Sequence, residues 1–145
     1  MPTIIRDLTY IARCGALYRT QLLEPLGLTN QQAGSLFAIC RHPGISQDQL
    51  ARRVALSKSN ITRQLTFLEE KGLVTRIPPP NDKRVLQLHP TEKALELLPQ
   101  IREVYRSWRT HLLQDLSDEE QELLSQLLLK VKDRSAEWFE EVRNG

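Results

Sequence analysis

The chain has 145 residues and a formal net charge of +2, with 40% hydrophobic and 26% charged residues. These values are typical of one globular domain, or of one domain with an extension used for dimerisation. No apolar run approaches the ~18 residues that a membrane span needs, and the N-terminus has no leader pattern. We therefore expect a cytoplasmic protein that does not enter the membrane.

The first quarter of the chain predicts two helices. Apolar residues recur at near-helical spacing over residues 4–23, and Pro25 ends this first helix. Thr29 and Gln32 form a T-x-x-Q capping box for a second helix, which Pro43 stops. The apolar stripe predicted for the first helix consists of Leu8, Ile11, Ala12, Gly15, Tyr18 and Leu22.

Residues 46–89 predict a helix-turn-helix followed by a β-wing. Ser46 and Gln49 form a second capping box, which begins a short third helix. Alternating residues predict strands over 73–77 and 85–89. The PPPNDKR segment between them is not helical, because its prolines remove backbone donors, and it therefore forms the loop of the wing.

The fourth helix has signals at both of its ends. Ser57 is the expected N-cap, and Gly72 is expected just after the last turn, where positive φ is common. Ile61, Leu65 and Leu68 follow one another at spacings of four and three, so one face of this helix should pack inward.

Two further helices complete the chain. Thr91 caps a fifth helix, in which Pro99 should bend the axis, and Ser117 with Glu120 opens a sixth. The first, fifth and sixth helices have more apolar surface than a small winged core can cover. A symmetric dimer would bury that surface, and the alternative is a monomer whose end helices fold back over the core.

Charge is distributed unevenly along the chain. Residues 51–84 hold eight basic against three acidic side chains, a net charge of +5. Residues 115–145 hold nine acidic against four basic side chains, a net charge of −5. Because the basic excess coincides with the helix-turn-helix and the wing, it favours a nucleic-acid surface over an ordinary solvated face.

The outer face of the fourth helix is the predicted base-reading surface. Side chains of Arg, Asn and Gln can form hydrogen bonds to base edges, and the helix N-terminus favours a phosphate. Residues expected to face base edges are Ser59, Asn60, Arg63 and Gln64. Residues expected to hold the phosphate backbone are Lys58 and Thr62.

The wing is predicted to supply a second contact. Asp82 lies two residues before Arg84 and can hold the guanidinium in a fixed pose, which suits a narrow minor groove. Lys83 and Arg76 would add phosphate contacts. The alternative for Asp82 and Arg84 is a surface ion pair of little consequence.

Signals for other chemistry are sparse. His42, His89 and His111 lie far apart with no ligand spacing to a cysteine or carboxylate cluster, which gives no support for a metal site. Cys14 and Cys40 form no C-x-x-C pair and are expected to be reduced thiols. Without catalytic or phosphate-loop motifs, we expect neither an enzyme nor a bound cofactor.

Several segments together resemble the MarR family of bacterial transcription regulators. They are LTNQQAGSLFAI, LSKSNITRQLTFLEEKGLVTR and the wing NDKRVLQLHPTEKA with its D-x-R. The resemblance spans nearly the whole chain. It implies a mainly α fold with a winged helix, comprising six helices and a two- or three-stranded wing.

The resemblance also implies an organisation and a mode of action. Residues 1–145 would form one domain, with a DNA-binding lobe at 29–91 and dimerisation helices at 1–28 and 92–145. The homodimer would place its fourth helices in successive major grooves of a pseudo-palindromic operator, where Ser57 to Gln64 would carry base and phosphate contacts. Asp82 and Arg84 would lie at the flanking minor grooves. Many members are repressors that a small phenolic or anionic ligand releases from double-stranded DNA.

Two other functions remain open at this point. One subfamily senses peroxide through a cysteine on the first helix, and Cys14 with Tyr18 at i and i+4 could touch there. This chain lacks the tyrosines that such members use in the following segment, which counts against that role. A winged-helix module that docks another protein is the second alternative.

Overall fold

A computed structural model describes residues 3–82 and 84–144 and is mostly helical. Its elements, in chain order, are α1 (Ile4–Leu23), α2 (Asn30–Arg41), β1 (Ile45–Ser46), α3 (Gln47–Val54), α4 (Lys58–Glu70), β2 (Val74–Ile77), β3 (Gln87–Pro90), α5 (Glu92–Leu113) and α6 (Asp118–Asn144). A 3₁₀ turn, Glu24–Leu26, follows α1. The predicted fold class, six helices with a small β-wing, is confirmed.

The three strands form one antiparallel sheet in the order β1-β3-β2. Leu88 lies opposite Arg76 on one side and Ile45 on the other. The two predicted strands are present with shifted ends: the second begins two residues later than expected, at Gln87, and runs to Pro90. Strand β1 is the third strand that the expected two- or three-stranded wing had left open. Its position was not predicted, because two residues are too short for an alternating pattern to emerge.

The predicted helix caps are all present. Gln32 N donates to Thr29 Oγ1 at 3.1 Å, and the capping boxes that begin at Ser46 and Ser117 also form. Ala94 N donates to Thr91 Oγ1 at 3.2 Å at the start of α5. Side-chain caps remove backbone donors that would otherwise lack partners, so these four helix starts are fixed locally.

The chain divides into two compact units between Trp108 and Arg109. The core of the first unit comes from α2, α3, α4, β3 and α5, and its fully buried side chains include Leu36, Leu50, Leu65, Leu88 and Ile101. Pro99 lies inside α5 as predicted, within this unit.

Helix α1 corrects the predicted apolar stripe. Ile11 and Leu22, which were placed on the inward face, are each 42% exposed, and Leu23 is the buried residue. Gly15 is buried as expected. The site has no room for a side chain, because an added Cβ would lie 2.9 Å from Trp108 Nε1. Any larger side chain at residue 15 would therefore displace the indole.

Each end helix has exposed apolar side chains. On α1, Ile5 is 76% exposed and Tyr10 is 71% exposed, and on α6, Trp138 is 64% exposed. Among the helices of residues 3–82 and 84–144, none contains an apolar segment of the length that a membrane span requires.

Candidate nucleic-acid interface

Helix α4 is fixed by one apolar stripe and presents a polar surface opposite it. Ile61, Leu65 and Leu68 are fully buried, as their spacing predicts. Burial of three large aliphatic side chains fixes the rotation of the helix about its axis. The exposed side chains of its first two turns are Lys58, Ser59, Thr62 and Arg63.

The N-terminus of α4 is capped by a side chain and carries no negative charge. Ser57 Oγ accepts a hydrogen bond from Asn60 N at 3.2 Å, which confirms the predicted cap. The first turn holds no acidic residue, and Lys58 is its first residue. Free backbone N–H groups, the helix dipole and an exposed ammonium together favour a phosphate at this position.

Thr62 joins α4 to α3. Its Oγ1 accepts from Gln47 Nε2 at 2.7 Å and donates to Lys58 O at 2.9 Å. The hydroxyl hydrogen is therefore used within the protein. Gln47 was not among the sequence candidates, because its contact spans 15 residues and depends on the packing of α3 against α4.

Gln64 is a correction to the predicted surface. It was expected to face base edges, but it is only 8% exposed and lies on the inward side of α4. Its Nε2 donates to Gln31 Oε1 at 2.7 Å and to Asn60 Oδ1 at 3.1 Å. The prediction failed because a polar residue at a buried helical position was assigned to the surface by its type alone.

Arg63 is an exposed cation on the outer face. It forms no hydrogen bond and no ion pair with any of residues 3–82 and 84–144. A guanidinium without a carboxylate partner retains all its donors for a ligand, and the fork geometry fits guanine or phosphate. Arg63 therefore differs from Arg76, which is already paired.

The wing holds Arg84 in place through Asp82. Asp82 Oδ1 accepts from Arg84 N at 3.0 Å and from Arg84 Nε at 3.1 Å. These hydrogen bonds hold the pKa of the Asp82 carboxyl below its ordinary value of 3.8. The Arg84 side chain is still 91% exposed, so the predicted fixed pose forms without removing the cation from solvent.

The other two cations predicted for the wing are Arg76 and Lys83. Arg76 Nε pairs with Glu69 Oε1 at the end of α4, and its side chain is 23% exposed. The contact occupies Arg76 Nε, and a phosphate contact through the remaining nitrogens of Arg76 stays a prediction. Lys83, the other predicted phosphate contact, lies outside the described residues.

Cys14 and Tyr18 lie on α1, with Tyr18 engaged elsewhere. The Tyr18 hydroxyl donates to Ser107 Oγ at 2.8 Å, and its ring lies 5.0 Å from that of Trp108. Cys14 is a partly exposed free thiol, and a redox role for it stays a prediction. Burial raises the pKa of the Cys40 thiol, which makes that cysteine a weaker nucleophile.

Comparison with known proteins places the chain in a family. A family model described as MarR family matches residues 26–85. The HTH-type transcriptional regulator BilQ of Clostridioides difficile is 32% identical over 117 residues, which are 81% of this chain and 79% of that protein. The chain belongs to the MarR family of transcriptional regulators. The segments whose sequence resembles this family are residues 28–39, 56–76 and 81–94.

Solved structures show that the MarR-type fold covers the whole chain. A putative MarR family regulator from Listeria monocytogenes, complexed with 26mer DNA, has a TM-score of 0.95 and 29% identity, covering 100% of this chain and 97% of that one. The transcriptional regulator SlyA has a TM-score of 0.92 and 27% identity, covering 97% of this chain and 99% of that one.

Proposed function

We propose that this MarR-family chain binds double-stranded DNA in a sequence-specific manner through α4 and the wing. The observation that carries the proposal is the presence of exposed cations at both places where a duplex would contact a winged helix. Lys58 and Arg63 lie on α4, and Arg84 lies at the wing. A relative of nearly identical fold, from Listeria monocytogenes, was solved with 26mer DNA.

Helix α4 would enter the major groove with its N-terminal turns. Arg63 and Asn60 would contact base edges, while Ser57, Lys58 and Ser59 would hold the backbone. Because the Thr62 hydroxyl hydrogen is already donated to Lys58 O, Thr62 could only accept a hydrogen bond, which suits a base-edge donor and not the predicted phosphate contact. The groove is wide enough for a helix, and its base edges present hydrogen-bond patterns specific to each base pair. Because the buried stripe of α4 sets its rotation, these side chains would reach the groove in one fixed register.

The wing would act as an electrostatic clamp. Arg84 is kept extended by the Asp82 carboxylate, so it would lose little conformational freedom when it enters a narrow minor groove. Asp82 would not contact DNA directly, because its carboxylate repels phosphate. Its role would be to orient the Arg84 guanidinium. Lys83 is proposed as a phosphate contact on sequence grounds only.

A homodimer would supply two such surfaces. The exposed apolar side chains of α1 and those of α6 are candidates for the contact between copies, and a two-fold arrangement matches a pseudo-palindromic operator. In this proposal residues 29–91 form the DNA-binding lobe, and 1–28 with 92–145 form the dimerisation region.

Release of DNA by a small phenolic or anionic effector completes the proposal, in which the chain acts as a repressor. A groove of about 570 Å³ lies beside α4 and is lined by residues that include Thr20 of α1, Gln32 of α2 and Arg63 of α4. A ligand bound there would favour one arrangement of these helices, and operator affinity would fall by the ligand's differential affinity for the two arrangements.

Selection of bound fragments from a random duplex library tests this function. The wild-type chain should enrich one inverted-repeat sequence, and Arg63→Gln should weaken that enrichment. Arg134→Gln is the matched control, because Arg134 is an exposed arginine on α6 and is not among the residues proposed to contact DNA. Absence of any enriched sequence with the folded wild-type protein would refute the proposal. Repeating the selection with phenolic acids present tests the effector.

A further inference from the structure

Three side-chain amides connect α2 to the first turns of α4. Gln64 Nε2 donates to Gln31 Oε1 at 2.7 Å and to Asn60 Oδ1 at 3.1 Å. A primary amide has two N–H donors, so Gln64 uses both of them in this way. Gln64 is only 8% exposed, and its Oε1 is buried without a hydrogen-bond partner.

This connection determines whether the oxygen or the nitrogen of the Asn60 side-chain amide is available to a ligand. The Asn60 oxygen points at Gln64, and the Asn60 backbone N–H is taken by Ser57 Oγ. Asn60 Nδ2 donates to no residue within the described ranges. Asn60 therefore offers a donor at the partly exposed start of α4.

The reverse direction of these hydrogen bonds, with Gln64 as the acceptor and Gln31 and Asn60 as the donors, is less favourable. If Gln31 and Asn60 both rotated to donate to Gln64 Oε1, the Gln64 amino group would be buried with two unsatisfied donors. The observed polarity leaves one acceptor unsatisfied. Because each buried, unpaired donor or acceptor carries a desolvation penalty, the arrangement with one unsatisfied group is favoured over the arrangement with two.

We propose that Gln64 is a positioning residue that sets base preference without touching DNA. By holding Asn60 with Nδ2 outward, it favours a base with an acceptor on its major-groove edge, such as guanine with O6 and N7. It disfavours cytosine, which offers only an amine donor there. The inference rests on the proposed function, in which Asn60 contacts a base.

Gln64→Glu is the direct test because a carboxylate only accepts hydrogen bonds. Gln31 and Asn60 must then rotate to donate, and Asn60 would present Oδ1 outward. The preference for guanine over cytosine at one position of each half-site should reverse, with a change of roughly threefold to tenfold in each direction, as expected for one hydrogen bond. The measurement is affinity for duplexes that differ at that position.

Gln31→Glu is the charge-matched control. Gln31 is exposed, and a glutamate there still accepts from Gln64 Nε2, so the polarity of Asn60 is kept. This variant should lower affinity for every duplex by a similar factor and leave the base preference unchanged. A reversal seen equally in both variants would overturn the proposal, because charge alone would then account for it.

Gln64→Met is a second variant, which adds no charge and removes the buried carbonyl oxygen, Oε1, that has no partner in the wild type. It cannot donate to Asn60, whose amide is then free to turn. The guanine preference at that position should flatten toward equal affinities rather than reverse. Unchanged discrimination in this folded variant would overturn the role given to Gln64.

Proton exchange of side-chain amides provides a test that needs no DNA. In wild type the Gln64 amino protons should exchange at least roughly tenfold more slowly than those of exposed Gln114, which is about the protection given by one buried hydrogen bond. The Asn60 amino protons should exchange rapidly. In Gln64→Glu the Asn60 protons should become protected. Rapid exchange at Gln64 would refute the positioning role, whereas normal protection with no sequence selection would refute the proposed function.

Discussion

Helix α4 and the wing present cations to the same proposed ligand by different means. Helix α4 is held by a buried stripe and by side-chain hydrogen bonds to two neighbouring helices, α3 through Gln47 and α2 through Gln31. Arg84 in the wing is held by one residue two positions away. A surface fixed by tertiary packing can discriminate between bases, whereas a locally fixed cation can anchor to any duplex.

The first prediction concerns the buried stripe. Leu65→Ala should lower the free energy of unfolding by about 2–5 kcal/mol, because it removes a fully buried leucine and leaves a cavity. Val85→Ala in the wing, where the side chain is exposed, should change it by less than about 0.5 kcal/mol. Chemical denaturation measures both, and equal losses would contradict the contrast between the two regions.

The second prediction separates reading from anchoring. Arg63→Ala should cost about 1–3 kcal/mol at the preferred base and relax specificity there, because a forked contact to a base edge is lost. Arg84→Ala should weaken binding to nearly all duplexes by a similar factor. Titration of a panel of single-base variants measures both. If the two mutants give the same pattern across the panel, the assigned roles are wrong.

The third prediction concerns the start of α4. Ser57→Ala should destabilise the protein by about 0.5–2 kcal/mol, because the Asn60 backbone N–H loses its cap. Ser135→Ala, at an exposed position inside α6, is the control and should be neutral or slightly stabilising. Thermal unfolding distinguishes the two, and a neutral Ser57→Ala would show that the cap contributes nothing.

The fourth prediction concerns pH at the wing. The pKa of Asp82 is lowered by its hydrogen bonds from Arg84, so the pair is present above the ordinary value of 3.8 and is lost only as pH falls through a lower pKa. Carboxyl-carbon NMR should give a titration midpoint below 3.8 in wild type. In Arg84→Ala the midpoint should rise toward 3.8, and an unchanged midpoint would show that Arg84 does not hold the carboxylate.

The parts of the fold that depend on local signals were predicted from sequence. Caps at Thr29, Ser46, Ser57 and Ser117 act within three residues, and all four form. The Asp82–Arg84 contact spans two residues and also forms. The position of strand β1 was not predicted, because its pairing with β3 joins residues more than 40 positions apart.

The candidate site shows where sequence reasoning failed. Gln64 lies at i+3 from Ile61, so helical geometry alone would place it inward, but its polar type assigned it outward. Its partner Gln31 is 33 residues away, and only the packing of α2 on α4 brings the two amides together. Similarly, the pairing of Arg76 with Glu69 depends on how β2 follows α4.

The salt dependence of duplex affinity tests the central claim that cations on α4 and the wing contact the DNA backbone. If the dimer neutralises about 6–10 phosphates, affinity should fall roughly a thousandfold or more between 50 and 200 mM salt, and Arg84→Ala should reduce the log–log slope by about one per lost contact. A folded wild-type protein whose duplex affinity stays constant across that range would contradict the account.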